Sequence, residues 1–243
     1  ANGQIGTTIK LSNNQGGFPP NVLKAGSRFG ESLAYLGDTD GDGHPELAVG
    51  APHHVGITSE TGAVIILHLG LNKDLPLVVG FNLLVPGVNV GLSLVGEFGY
   101  SITGLPGGVA FGPIAGGRLL AVGLPNYKGP SGEQEIAMGA VQFLRFSDSS
   151  WDVPLDDYLL EKSDALDLTD NERFGSSVAF LGKLGSKSVV AVGSELADIP
   201  GGTDVGTVRL FETDGVEWTS FKMYDTAELS FVDGGHFGSA LAA

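Results

Sequence analysis

Residues 28–52 read Arg28-Phe29-Gly30-Glu31-Ser32-Leu33-Ala34-Tyr35-Leu36-Gly37-Asp38-Thr39-Asp40-Gly41-Asp42-Gly43-His44-Pro45-Glu46-Leu47-Ala48-Val49-Gly50-Ala51-Pro52. Two short apolar segments flank a loop of alternating carboxylates and glycines, a pattern of strand, turn and strand. The opening Phe-Gly pair returns at Phe98-Gly99, Phe174-Gly175 and Phe237-Gly238, at intervals of 69, 76 and 63 residues. Self-similarity on this scale means a repeat architecture, in which each unit buries its apolar face against its neighbours.

Two further signatures recur with the same order. Leu47-Ala48-Val49-Gly50 is matched by Leu120-Ala121-Val122-Gly123 and Val190-Ala191-Val192-Gly193. Gly62-Ala63-Val64-Ile65-Ile66-Leu67 is matched by Gly139 to Leu144 and by Gly206 to Phe211, and Gly6-Thr7-Thr8-Ile9-Lys10-Leu11 carries the same signature from an earlier repeat. A less regular strand is expected around Leu77–Val85, Tyr158–Lys162 and Val216–Met223. The apolar positions run continuously or alternate instead of recurring at three and four, which argues for strands and against helical repeats. Four strands per repeat describe the blade of a propeller.

The Phe-Gly start followed by Gly50-Ala51-Pro52 resembles the FG-GAP repeat of integrin α-subunit propellers and related extracellular proteins. The first repeat matches almost throughout. The later ones depart from it, with Gly123-Leu124-Pro125 in the second and Gly193-Ser194-Glu195 in the third. The resemblance implies an all-β β-propeller of four-stranded antiparallel blades, here an incomplete part of a seven-bladed propeller or of a multi-chain assembly. The expected organisation is a partial blade over 1–27, repeats over 28–96, 97–172 and 173–235, and the start of a further repeat over 236–243.

The loop between the first two strands carries the chemistry. Carboxylates at positions one, three and five converge on a hard cation when glycines let the backbone curl, and a carbonyl at position seven completes the arc. Asp38, Asp40, Asp42 and Glu46 are the expected side-chain ligands of Ca²⁺, with His44 contributing its carbonyl. An EF-hand shares the Asp-x-Asp-x-Asp-Gly opening but needs a bidentate Glu at position twelve and flanking helices. Position twelve is Val49, inside an apolar strand. A carboxylate at position nine followed by a strand resembles the calcium hairpin of FG-GAP blades, which usually has Asp where this chain has Glu46. The competing reading is an acidic turn without metal. Neither Phe111–Gly117 nor Gly182–Lys187, the corresponding segments of the later repeats, contains a carboxylate, so one calcium per chain is expected.

Composition bounds the partners. The chain has 243 residues, 39 of them Gly, and a formal charge of −15 with its basic residues scattered singly. Such a surface disfavours nucleic acid and anionic membranes. Its length suffices for a core without staples. There is no Cys, hence neither a disulfide nor a thiolate metal site. No membrane span, signal-peptide pattern or N-glycosylation sequon is present in the sequence. If the protein is exported, its signal has already gone.

The resemblance also implies a partner surface. The loops His53–Thr61, Asn126–Met138 and Ser194–Val205 emerge opposite the calcium hairpin, where integrin-like propellers bind partners; ordinary variable loops are the alternative. Asp164, Asp167, Asp170 and Glu172 lack the glycines of a calcium loop and read as solvated surface. Catalytic signatures are not found, and Asp156 and Asp157, adjacent in sequence, point to opposite strand faces. The expected function is a non-enzymatic, calcium-binding extracellular or cell-surface module for adhesion, recognition or structural assembly, with a protein or glycan partner and self-assembly through blade edges open to it. The alternative is the accessory propeller of a larger secreted enzyme acting on glycans or lipids.

Overall fold

The computed structural model describes residues 8–56, 61–72, 75–90, 96–105, 110–111, 114–115, 117–129, 137–148, 150–163, 166–213, 218–224 and 233–242. These form fourteen strands, and no helix occurs among the described residues. The first blade is β1 (Leu33–Gly37), β2 (Glu46–Ala51), β3 (Ala63–Asn72) and β4 (Leu75–Leu84), paired in chain order. The second pairs β5 (Ser101–Leu105), β8 (Arg118–Leu124), β9 (Ala140–Phe146) and β10 (Asp156–Leu160), with a small hairpin of β6 (Ala110–Phe111) and β7 (Ile114–Ala115) inserted after β5. The third is β11 (Phe174–Leu184), β12 (Lys187–Ser194), β13 (Thr207–Thr213) and β14 (Trp218–Tyr224). All three sheets are antiparallel meanders, so the expected four-stranded blades are present.

The second and third strands are apolar on both faces because each blade is packed from two sides. Ala48 of β2 lies in a core shared with Leu120, Val122 and Leu144 of the second blade, whereas its neighbour Val49 faces Phe18 and Ile65. A second core joins Ala121 and Phe143 to Val190, Val192 and Phe211 of the third blade. The Phe of the repeated Phe-Gly pair fills these seams: Phe98 and Phe174 are fully buried, the latter edge-on to Phe211 with ring centroids 5.8 Å apart. Burying each such ring contributes roughly 1.5–3 kcal/mol.

Successive blades are also coupled through their backbones. Isolated parallel bridges join Gly62 to Phe98, Gly139 to Phe174 and Gly206 to Phe237. The Ser of each repeat donates to the Phe-Gly glycine carbonyl of the next: Ser32 Oγ to Gly99 O at 2.8 Å, Ser101 Oγ to Gly175 O at 2.8 Å and Ser177 Oγ to Gly238 O at 2.6 Å. These contacts explain the Val-Gly glycines. A Cβ at Gly50, Gly123 or Gly193 would run into the carbonyl oxygen of Gly99, Gly175 or Gly238.

Two expectations are corrected. Residues 8–11 of the Gly6–Leu11 signature do not form a strand, and Gly6 and Thr7 lie outside the described residues. A strand needs a ladder partner; here the chain instead turns back on itself, Gln15 N donating to Ser12 O at 2.8 Å, and Leu11 packs with Phe18 on the free face of the first blade. Glu172 is not solvated surface but fully buried. It binds the Arg209 guanidinium and accepts from Ser194 Oγ and Thr169 N, each at 2.8 Å. Burial is tolerated because the charge is paired and its lone pairs are used. Asp167 and Asp170 are exposed as expected, and Asp164 lies outside the described residues.

Candidate functional site

The acidic loop spans the turn from β1 to β2, where the ladder ends with Gly37 opposite Glu46. Its aspartates are turned inward by backbone amides. Asp38 accepts from Gly41 N at 2.8 Å through Oδ1 and from Gly43 N at 3.0 Å through Oδ2. Asp40 Oδ1 accepts from Asp42 N at 3.1 Å, and Asp42 Oδ1 from His44 N at 2.8 Å. Short polar side chains reaching amides two or three residues on are what a tight turn offers. Gly41 and Gly43, with φ of 80° and 87°, provide the left-handed bends.

One oxygen each of Asp38, Asp40 and Asp42 lies within 4.8 Å of the others. Glu46 is placed differently from the expectation of a single four-carboxylate set: it groups with Asp40 and His68, its ligand atoms again within 4.8 Å of theirs. Glu46 is fully buried, its Oε2 taken by Thr39 N at 2.7 Å and by Thr39 Oγ1, while Oε1 has no hydrogen-bond partner among the described residues. The His44 N–H is thus bonded to Asp42, whereas the role expected of His44 is that of its carbonyl as a ligand. An all-oxygen cluster of carboxylates, held inward by amides and with a buried carboxylate oxygen unpartnered beside it, fits a hard divalent cation, which would offset the mutual repulsion of the charges.

His68 was not predicted as part of this site. The signal for it was present in the register: β2 and β3 pair Ala51 with Ala63, so Glu46, five residues back, must oppose His68, five residues on. The hairpin is also latched to the second blade, which no local pattern announces. Trp151 Nε1 donates to Thr39 Oγ1 at 3.0 Å, Arg118 donates to the Thr39 carbonyl, and the Arg118 guanidinium lies 5.5 Å from the Trp151 ring centroid. Thr39 thereby connects Glu46 of one blade to Trp151 of the next. The corresponding turns of the other blades are the β6–β7 hairpin, with residues 112, 113 and 116 outside the described set, and the two-residue turn Gly185-Ser186.

The three long loops leave the opposite ends of β2, β8 and β12 from these turns. Residues 57–60 and 130–136 of them lie outside the described residues. Of their described residues, His53 and Glu195 meet Glu97 and Arg173, which precede Phe98 and Phe174, across the blades. His53 Nε2 is 3.2 Å from Glu97 Oε1, Arg173 reaches Glu97 at 3.4 Å and Glu195 at 2.8 Å, and its guanidinium covers Tyr100 at 5.1 Å. His54 is buried, which together with Lys24 holds its imidazole below the usual histidine pKa and neutral. On β10, Asp156 pairs with Arg145, and Asp157 accepts from Gln142 Nε2 at 2.9 Å.

Against known families, residues 29–67 match the model of the FG-GAP repeat. Residues 29–67 carry an FG-GAP repeat, and the chain is similar to integrin α over part of its length. It is 35% identical over 107 residues to mouse integrin alpha-7 and 34% identical over 107 residues to the rat protein. Each match takes in 42% of this chain and 8% of the relative, so the FG-GAP chain covers a small part of these relatives' length. The matched segment begins at Phe29 and ends at Leu67, and thus contains the whole acidic hairpin and β3 up to the residue before His68. Among the described residues, no helix is long and apolar enough to cross a membrane.

Proposed function

We propose that this FG-GAP chain is a non-enzymatic, calcium-braced module of an extracellular or cell-surface protein that serves adhesion or recognition. The observation that carries the reading is the hairpin itself: three inward-turned aspartates on a glycine-curled loop, tied through Thr39 to the neighbouring blade. Asp38, Asp40 and Asp42 would hold Ca²⁺ with Glu46 Oε1 at hand, and the ion would supply the positive charge that lets the loop close. Its role is mechanical. The hairpin lies at the end of β2 opposite the loops whose His53 and Glu195 meet Glu97 and Arg173, so partner contacts are assigned to that second face. Similarity to integrin α supports a protein partner there.

Isothermal titration of the metal-free chain with CaCl₂ tests the metal reading. One equivalent is expected to bind the wild type, with an affinity in the range of extracellular modules, about 10⁻⁴ to 10⁻³ M. Asp40→Ala combined with Asp42→Ala should abolish it. Calcium binding undiminished in that variant would sink the proposal.

A further inference from the structure

A groove of about 330 Å³ opens at the outer rim of the first seam, between the turn that follows β4 and the segment that leads into β10. Val88, Val153 and Leu155 line it and are 56, 59 and 58% exposed. Single exposed apolar side chains are ordinary, but several converging on one concavity mark a contact surface. Their backbones are fixed. Gly87 N donates to Val90 O at 3.0 Å, Val85 N to Asn89 Oδ1 at 2.8 Å, and Leu155 N to Arg145 O at 2.6 Å. The Asn89 amide nitrogen donates to Leu83 O at 2.6 Å and to Asp152 O at 3.4 Å, so the two walls belong to different blades and are tied together. A surface already held in shape loses little freedom on docking.

The charge beside the groove has one sign. Asp156 is neutralised by Arg145, but Asp152 and Asp157 are exposed and form no ion pair among the described residues. Their partners are neutral: Asn82 Nδ2 and Ser150 Oγ donate to Asp152, and Gln142 Nε2 donates to Asp157 at 2.9 Å. Such donors aim a carboxylate without cancelling its charge. We propose that this groove receives an extended segment of a partner protein in which aliphatic residues are flanked by Lys or Arg. The aliphatic side chains cover Val88, Val153 and Leu155, and the flanking cations meet Asp152 and Asp157. Apolar burial supplies the affinity, while the two carboxylates set the register and reject acidic segments. The surface is separate from the loops carrying His53 and Glu195, and none of the residues lining it is a proposed calcium ligand.

Fluorescence anisotropy of the labelled peptide Lys-Lys-Leu-Val-Leu-Lys-Lys with the full chain at fixed Ca²⁺ tests this. The wild type should bind it at least about tenfold more tightly than Lys-Lys-Ser-Thr-Ser-Lys-Lys or Glu-Glu-Leu-Val-Leu-Glu-Glu. Val153→Ser with Leu155→Ser should weaken binding at least about tenfold, and Asp157→Asn should flatten its salt dependence. Val79→Ser is the control: Val79 is 61% exposed on β4 outside the groove, and its replacement should leave binding unchanged. Thermal midpoints equal to that of the wild type report that the variants fold. Equal binding of the serine-threonine peptide, groove variants that bind like Val79→Ser, or no binding to the wild type would each overturn the proposal. So would a concentration-dependent dimer of the wild type that Val153→Ser with Leu155→Ser dissolves, since a second copy would then be the occupant.

Discussion

At the scale of single residues, the repeat signature is written mainly in contacts between blades. Gly50 has no positive φ; it is glycine because the Gly99 carbonyl of the next blade occupies the space a side chain would need, and that carbonyl is backbone already bonded by Ser32 Oγ. Gly50→Ala should therefore destabilise the chain by about 2–4 kcal/mol through overpacking. Gly80→Ala is the control, since a Cβ there meets His68 atoms only at ordinary contact distances of 3.7 Å and beyond. Its effect should stay within about 0.5 kcal/mol. Urea unfolding of the two variants measures both, and equal midpoints would refute the close-approach account. Phe98 and Phe174 belong to the same logic, since each fills the seam toward the preceding blade.

At the scale of elements, the first three strands of each blade were legible because their Phe-Gly, Val-Gly and Gly-Ala-Val motifs mark both position and order. The fourth strand was found only approximately: Leu75–Leu84 and Asp156–Leu160 begin two residues before the pattern placed them, and of the third, placed from Val216, residues 216 and 217 lie outside the described residues before Trp218–Tyr224. It lies at the edge of its blade, pairs on one side, and carries less of the pattern. The aspartates of the hairpin were legible because spacing within a turn is local information. His68, Trp151 and Arg118 reach the hairpin from β3 and the next blade, and Glu172 is neutralised by Arg209, 37 residues on. Such partners follow from register and packing, not from local composition. Arg209→Leu should accordingly cost about 3–5 kcal/mol, leaving Glu172 buried without its counter-charge. Adding Glu172→Leu should recover part of that loss in thermal unfolding; additive losses would mean that the pair is not the source.

At the scale of the molecule, the three blades form a chain of seams in which every repeat reaches into the next. The hairpin at the start of this series is the point where a metal can act on more than its own turn. Asp40 and Glu46, two of the proposed ligands, adjoin Thr39, and Thr39 holds Trp151 and Arg118 of the second blade. Closing the loop on an ion should thus stiffen the first seam as well as the first sheet. The opposite face, with His53, Glu97, Arg173 and Glu195 in one ion network, remains free of this constraint and is the surface on which a partner would be read. The most direct measurement is the thermal midpoint of the chain in excess chelator and in Ca²⁺ at about one hundred times its dissociation constant. Stabilisation of about 2.7 kcal/mol predicts a rise of about 5–10 °C for a chain of this size, abolished in Asp40→Ala with Asp42→Ala. An unchanged midpoint in the wild type, or the same rise in the double variant, would contradict the calcium brace.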